Sequence, residues 1–187
     1  MVLGAAEQRA FDERSFFVLR GLFSPSEVAP VREAFDRLYE TAQRLRTTGD
    51  HAGAFFVLEA RDEGPAVVQR VVWAGGMEPP LLELSADARL IAPALELLGT
   101  SQCEQLLCQA HFKMPNDGVA FDWHQDIQHR DKGAGTWRDV NGRGSYVQTL
   151  LLVDDMTARG CALRRARAPR ARLGRRLARR ASDRPRG

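Results

Sequence analysis

Every aromatic and every β-branched residue of this chain lies at or before Thr157. Strands and aromatic-lined cores are built from those residue types, so any sheet must come from residues 1–157. Residues 158–187 have a different composition. They hold 12 of the 27 basic residues and one of the 24 acidic ones, Asp183, which leaves 15 basic and 23 acidic residues in 1–157. The body is thus net negative by about 8 and the tail net positive by about 11, with His neutral. A split this sharp marks two kinds of sequence joined end to end. We expect one domain over 1–157, long enough for a sizeable core. We expect 158–187 to be a disordered or out-of-frame tail, since Arg, Ala, Pro and Gly are what GC-rich DNA encodes in a wrong frame.

Within the body, residues 5–14 suit a short helix, and Ser15 to Phe23 is an apolar, β-rich run that predicts a strand. Ser24-Pro25-Ser26-Glu27 is a helix start with a mechanism: Ser24 caps, Pro25 takes the first helical position, and Glu27 reaches back as in a capping box. Val28, Val31, Phe35, Leu38, Ala42 and Leu45 follow at steps of three and four, the stripe of an amphipathic helix, with Gly49 as its expected stop. Ala54 to Glu59 and Ala66 to Trp73 predict two strands joined by the turn-rich stretch 61–65. Gly75-Gly76 and Pro79-Pro80 interrupt the chain. Ser85-Ala86-Asp87 opens a helix to Leu98 that Gly99 ends and Pro93 should kink or split. Glu104 to Lys113 and Ser145 to Val153 are further strand candidates, the second closing on Asp154-Asp155. Between them, residues 128–145 hold six charged residues and four glycines, a long polar loop of the kind found beside binding sites.

The chemistry centres on Trp123-His124-Gln125-Asp126. On a strand, alternate side chains share a face, so His124 and Asp126 project together and Gln125 opposite. An imidazole and a carboxylate so placed are two of the three ligands of a 2-His-1-carboxylate iron site. The same HxD spacing also occurs by chance; here Phe121 and Trp123 precede it, as in a strand entering a core, and the polar loop follows. Lys113 is one of only two lysines in an Arg-using chain and is placed to attract a carboxylate; its plainer role is a protective charge on a strand edge. His111 shares a face with Lys113, and His129 follows Asp126 by three. Either is a third-ligand candidate or an ordinary hydrogen-bonded His. His51 is expected to be a helix-terminus charge.

Taken together, Phe16 to Glu27, Gln109-Ala110-His111-Phe112-Lys113-Met114-Pro115, Trp123-His124-Gln125-Asp126 and Tyr146 to Thr157 resemble the phytanoyl-CoA dioxygenase family of Fe(II)- and 2-oxoglutarate-dependent oxygenases, over roughly residues 10–157. The resemblance implies a mainly β fold with flanking helices, a double-stranded β-helix or jelly roll. It implies His124 and Asp126 as iron ligands, and Gln125, Thr149 and, less securely, Lys113 at the 2-oxoglutarate pocket. It further implies a small-molecule substrate and molecular oxygen as reactants. An intact Asp126 implies hydroxylation, because related halogenases carry a small residue there to admit halide. The sequence departs from the family after Asp154-Asp155-Met156-Thr157. The usual Pro-Gly-Ser-His segment with the second His ligand is missing, and no His follows His129. We therefore expect the jelly roll to be incomplete at its C-terminal end and activity to be impaired.

Cys103, Cys108 and Cys161 form no metal-finger spacing, and an odd count without a signal peptide predicts a reducing compartment. With no apolar run of membrane-spanning length, the expected location is cytoplasmic. The alternative function is non-catalytic: the Arg-rich tail binds nucleic acid or another polyanion by neutralising phosphates, although it lacks aromatics for base stacking.

Overall fold

The structure, a computed structural model, describes residues 3–119 and 146–155. Two helices come first, α1 (Ala5–Arg14) and α2 (Pro25–Leu45). The α2 start is the capping box its sequence encodes. The Ser24 hydroxyl accepts from the Glu27 N–H at 3.3 Å, and the Ser24 N–H donates to the Glu27 carboxylate at 2.8 Å. The helix buries Val31, Ala34, Leu38, Thr41 and Ala42 along one stripe. It stops at Arg46 in the left-handed region (φ 58°), not at Gly49. Arg46 is held there by its own guanidinium, which donates to the carbonyls of Arg61 and Gly64 at 3.2 Å each.

Four strands follow as one antiparallel sheet in the order β1 (Gly49–His51), β2 (Ala54–Glu59), β3 (Val67–Val72) and β4 (Gln109–His111). β1 and β2 form a hairpin over Ala52 and Gly53, both at positive φ (48° and 84°). A two-residue loop of this kind matches the twist of the strands it joins. Gly53 also lies against the turn Ala74–Gly76: a Cβ on Gly76 would stand 2.5 Å from the Gly53 carbonyl oxygen. Beyond β1, the Thr48 hydroxyl continues the ladder by accepting from the Leu58 N–H (2.9 Å) and donating to its carbonyl (2.8 Å). The β2–β3 register shifts at Val57/Leu58, a bulge that raises local twist.

Two short helices, α3 (Pro79–Ser85) and α4 (Ala88–Leu98), connect β3 to β4. Pro79-Pro80 starts α3, where the missing proline N–H costs nothing. Pro93 is buried inside α4, which remains a single helix. At the start of α4, Arg89 gathers Asp87 and Glu27, each at 2.7 Å, and stacks on Phe23 with 4.2 Å to the ring centroid. The contact ties the first turn of α2 to that of α4. The guanidinium's hydrogen bonds hold both carboxyls at about 2, from ordinary values of 3.8 for Asp87 and 4.5 for Glu27; backbone N–H groups assist in each case.

The core lies between the sheet and the helices. Phe56, Leu58, Val68, Val71 and Ala110 join Leu38, Ala34 and Ala42 of α2 and Leu81 of α3. Each fully buried Leu, Val or Phe stabilises the fold by about 1.5–3 kcal/mol relative to exposure.

Several expected elements differ. Ser15 to Phe23 is not a strand. Ser15 turns the chain out of α1 at φ 62°, Phe16 and Val18 face solvent, and Phe17 meets Phe11 edge-on at 6.1 Å. The run is apolar but has no strand beside it among the described residues. Of Glu104 to Lys113, Gln109–His111 is the strand among the described residues, because β3 ends at Val72, opposite Gln109, where Trp73 turns the chain at φ 55°. Residues 150–153 show the period of a strand, with Leu151 and Val153 against the core and Leu150 and Leu152 half exposed. They have no ladder partner among the described residues. Arg32 instead holds this segment to α2 through the Val153 carbonyl (2.6 Å) and Asp154 (3.7 Å). Among the described residues helix outnumbers strand and there is one sheet, so a small antiparallel sheet with flanking helices is what the fold shows of the expected mainly β architecture. No helix among them is long and apolar enough to cross a membrane. The polar loop 128–145 and the Arg-rich stretch 158–187 lie outside the described residues, apart from the loop's flank at Tyr146.

Candidate functional site

Because α2 covers one face of the sheet, anything the sheet offers to a ligand is on the other. Strand alternation assigns that face. Phe56 pairs with Val71 and Val71 with Ala110 on the core side, so the next row, Val57–Arg70–His111, projects away from it. Phe55, Val72 and Gln109 form the parallel row. Phe112 returns to the core at 6% exposure, with its ring 5.2 Å from Phe35 and 6.2 Å from Tyr39. Its N–H donates to the Gln69 carbonyl at 3.2 Å, carrying the β4 pairing one residue further. With Phe112 anchored inward, His111 and Lys113 on either side of it go to the opposite face.

The result is a row of nitrogen-bearing side chains on an apolar floor. His111 is exposed at the end of β4, yet partial loss of water around its ring pushes its proton affinity below the ordinary imidazole value, and the positive charges of Arg70 and Lys113 push the same way. His111 is thereby favoured as a neutral ring flanked by two cations.

The sequence candidates distribute as follows. Lys113 is half-buried and stands with His111 and Arg70. Thr149 is exposed on the segment that Arg32 docks to α2. His124, Gln125, Asp126 and His129 lie outside the described residues. Among the described residues no three His, Cys, Asp or Glu side chains are grouped to hold a metal. His51 is not at a helix terminus. It ends the edge strand β1 with its ring edge-on to Phe56 at 6.3 Å, because the helix stops earlier than Gly49. Asp154 and Asp155 are both exposed, Asp154 reaching Arg32. Cys103 and Cys108 are free thiols.

Arg70 is the residue that sequence reasoning passed over. Its signal was present: a lone cation inside the β-branched run Val67-Val68-Gln69-Arg70-Val71-Val72, at a place where a central strand normally carries none.

A small antiparallel sheet, covered by helices on one face and polar on the other, is compatible with a cupin-like oxygenase domain. The chain matches the model of the phytanoyl-CoA dioxygenase family over residues 11–164 and belongs to that family. Its members are in general Fe(II)- and 2-oxoglutarate-dependent oxygenases. Comparison with curated proteins gives no match, and comparison with solved structures gives none.

Proposed function

We propose that this domain performs Fe(II)- and 2-oxoglutarate-dependent hydroxylation of a small organic substrate, within a double-stranded β-helix. The observation that carries the reading is that the family match spans Trp123-His124-Gln125-Asp126 as well as Gln109 to Lys113 and Tyr146 to Asp155. His124 and Asp126 are the proposed iron ligands, a borderline nitrogen and a hard oxygen donor suited to Fe(II). Lys113, Gln125 and Thr149 are proposed to line the 2-oxoglutarate pocket. The cationic face that carries Lys113 fits a dianionic co-substrate, since charge-assisted contacts to carboxylates are the strong ones. When bound, iron supplies the oxidising power to break a C–H bond with molecular oxygen, coupled to decarboxylation of 2-oxoglutarate. The chain's own residues position the two carboxylates.

Within residues 1–187 no His follows His129, so these residues offer no third protein ligand of the family's usual kind. We propose that iron is held by two protein ligands, more weakly and with poorly fixed geometry, and that turnover is impaired. We further propose that 1–157 is the family domain and that the Arg-rich 158–187 is read out of frame. The coding DNA around codon 158, read in three frames, tests this: a family-like continuation in another frame supports it, and the same tail found in the mature protein overturns it.

Anaerobic titration of the full chain with Fe(II) and 2-oxoglutarate tests the main reading. A weak visible metal-to-ligand charge-transfer band is the expected result. Absence of the band, with salt-sensitive polyanion binding that disappears on deleting 158–187, would replace the oxygenase reading with a non-catalytic binder.

A further inference from the structure

The run Leu150-Leu151-Leu152-Val153 has its side chains sorted as on a strand, Leu151 and Val153 against the core and Leu150 and Leu152 half exposed. An extended segment ordinarily owes its place to a ladder, and this one has no ladder partner among the described residues. Where the chain bends at its end, the Val153 carbonyl is taken instead by Arg32 of α2, 121 residues earlier. Both Nε (3.1 Å) and Nη2 (2.6 Å) of the guanidinium donate to that one oxygen, and Nη2 also reaches the Asp154 carboxylate at 3.7 Å. Arg32 pairs with Asp154 and not with Asp36, one turn along its own helix, where a helical ion pair could form. The exposed ion pair adds little. The two bonds to the carbonyl add direction, because the fork is planar, rigid and charged. Thr149 lies on the same side of the run as Leu151 and Val153 and is exposed. Where that row settles on the core therefore decides where the Thr149 hydroxyl is held.

We propose that Arg32 is a positioning residue: by clasping the Val153 carbonyl it docks the segment on α2 and thereby sets the place of Thr149. That Thr149 then contacts 2-oxoglutarate rests on the oxygenase reading; the docking does not.

A thiol introduced by Leu151→Cys in the full chain reports the docking. Trypsin releases it in the peptide 144–159, which holds no native Cys. Native Cys108, half-buried against the core, reports opening of the fold as a whole in the same molecule. Iodoacetamide labelling followed by mass spectrometry reads both rates. Adding Arg32→Met should speed labelling of the introduced thiol by about fivefold or more, the scale of one hydrogen bond, and leave Cys108 within about twofold, as a local opening does. Arg32→Lys, which keeps a donor, should speed it less. In the anaerobic Fe(II) titration, Arg32→Met should also weaken 2-oxoglutarate binding, and Thr149→Ala added to Arg32→Met should cost less than Thr149→Ala alone. The proposal is overturned if Arg32→Met leaves the introduced thiol within about twofold of its former rate, or speeds Cys108 by the same factor. It is equally overturned if the thiol is freed while 2-oxoglutarate affinity stays unchanged. Should Leu151→Cys fail to melt cooperatively, Val153→Cys carries the same expectations and the same refutations. A wild-type chain without the charge-transfer band defeats the oxygenase reading and leaves the two labelling rates to decide the docking.

Discussion

Phe112 is where the fold and the candidate site depend on the same side chain. It is 6% exposed, it meets Phe35 and Tyr39 of α2, and it separates His111 from Lys113. Burying a Phe removes on the order of 150–250 Å² from water, roughly 4–6 kcal/mol at the usual transfer coefficient and an upper bound. Partial collapse of the site brings the expected cost of Phe112→Ala to about 3–5 kcal/mol. Domains of this size are stable by about 5–15 kcal/mol, so the variant should still fold but melt roughly 10 °C lower. Phe112→Leu should cost about 1 kcal/mol. Urea unfolding followed by tryptophan fluorescence measures both, with an unchanged slope showing that the same surface is exposed on unfolding. If Phe112→Ala unfolds within about 1 kcal/mol of wild type, β4 does not pack against α2. The assignment of His111 and Lys113 to the opposite face then fails with it.

Three further outcomes follow from local chemistry. Ser24→Ala removes the α2 cap and should cost about 1 kcal/mol in the same urea assay, with no effect contradicting the capping box. The Arg89 contacts with Asp87 and Glu27 depress both carboxyls to about 2, so their contribution is complete above the ordinary values of 3.8 and 4.5 and is lost as pH falls towards 2. The difference in melting temperature between wild type and Arg89→Met should therefore be largest near neutrality and narrow below pH about 4, and a pH-independent gap would contradict this. His111, held below its ordinary 6.5 by desolvation and then by Arg70 and Lys113, takes up a proton more readily when unfolded. Stability should fall as pH drops below about 6.5, and His111→Asn should flatten that slope; identical slopes in the two proteins would contradict it.

What was legible in the sequence was what local chemistry decides. Ser24 to Glu27 specifies its own cap, and the apolar run Ala54 to Glu59 specifies a strand, although which of its residues enter the core (Ala54, Phe56 and Leu58) is decided by pairing and not by the run itself. Asp87 and Gly99 bound α4 as ordinary start and stop signals. The misreadings arose where a partner decides. Ser15 to Phe23 is as apolar as a strand but lacks a neighbour to pair with among the described residues. Arg46 closes α2 in a conformation usually left to glycine because two carbonyls from a later turn hold it. Arg70 shows the same limit at the site: only the register of β2, β3 and β4 places it beside His111. The ligand candidates His124 and Asp126 were legible as a spacing. Lys113 gained Arg70 as a cationic neighbour only through pairing across the sheet.

The measurement closest to the central claim is the Fe(II) affinity of the full chain under anaerobic conditions with 2-oxoglutarate, compared across single alanine variants. His124→Ala and Asp126→Ala should each weaken iron binding by on the order of tenfold or more, since losing even an outer partner of a ligand has effects on that scale. His111→Ala should leave it unchanged. Iron affinity that survives both His124→Ala and Asp126→Ala, or that is lost in His111→Ala, would contradict the account.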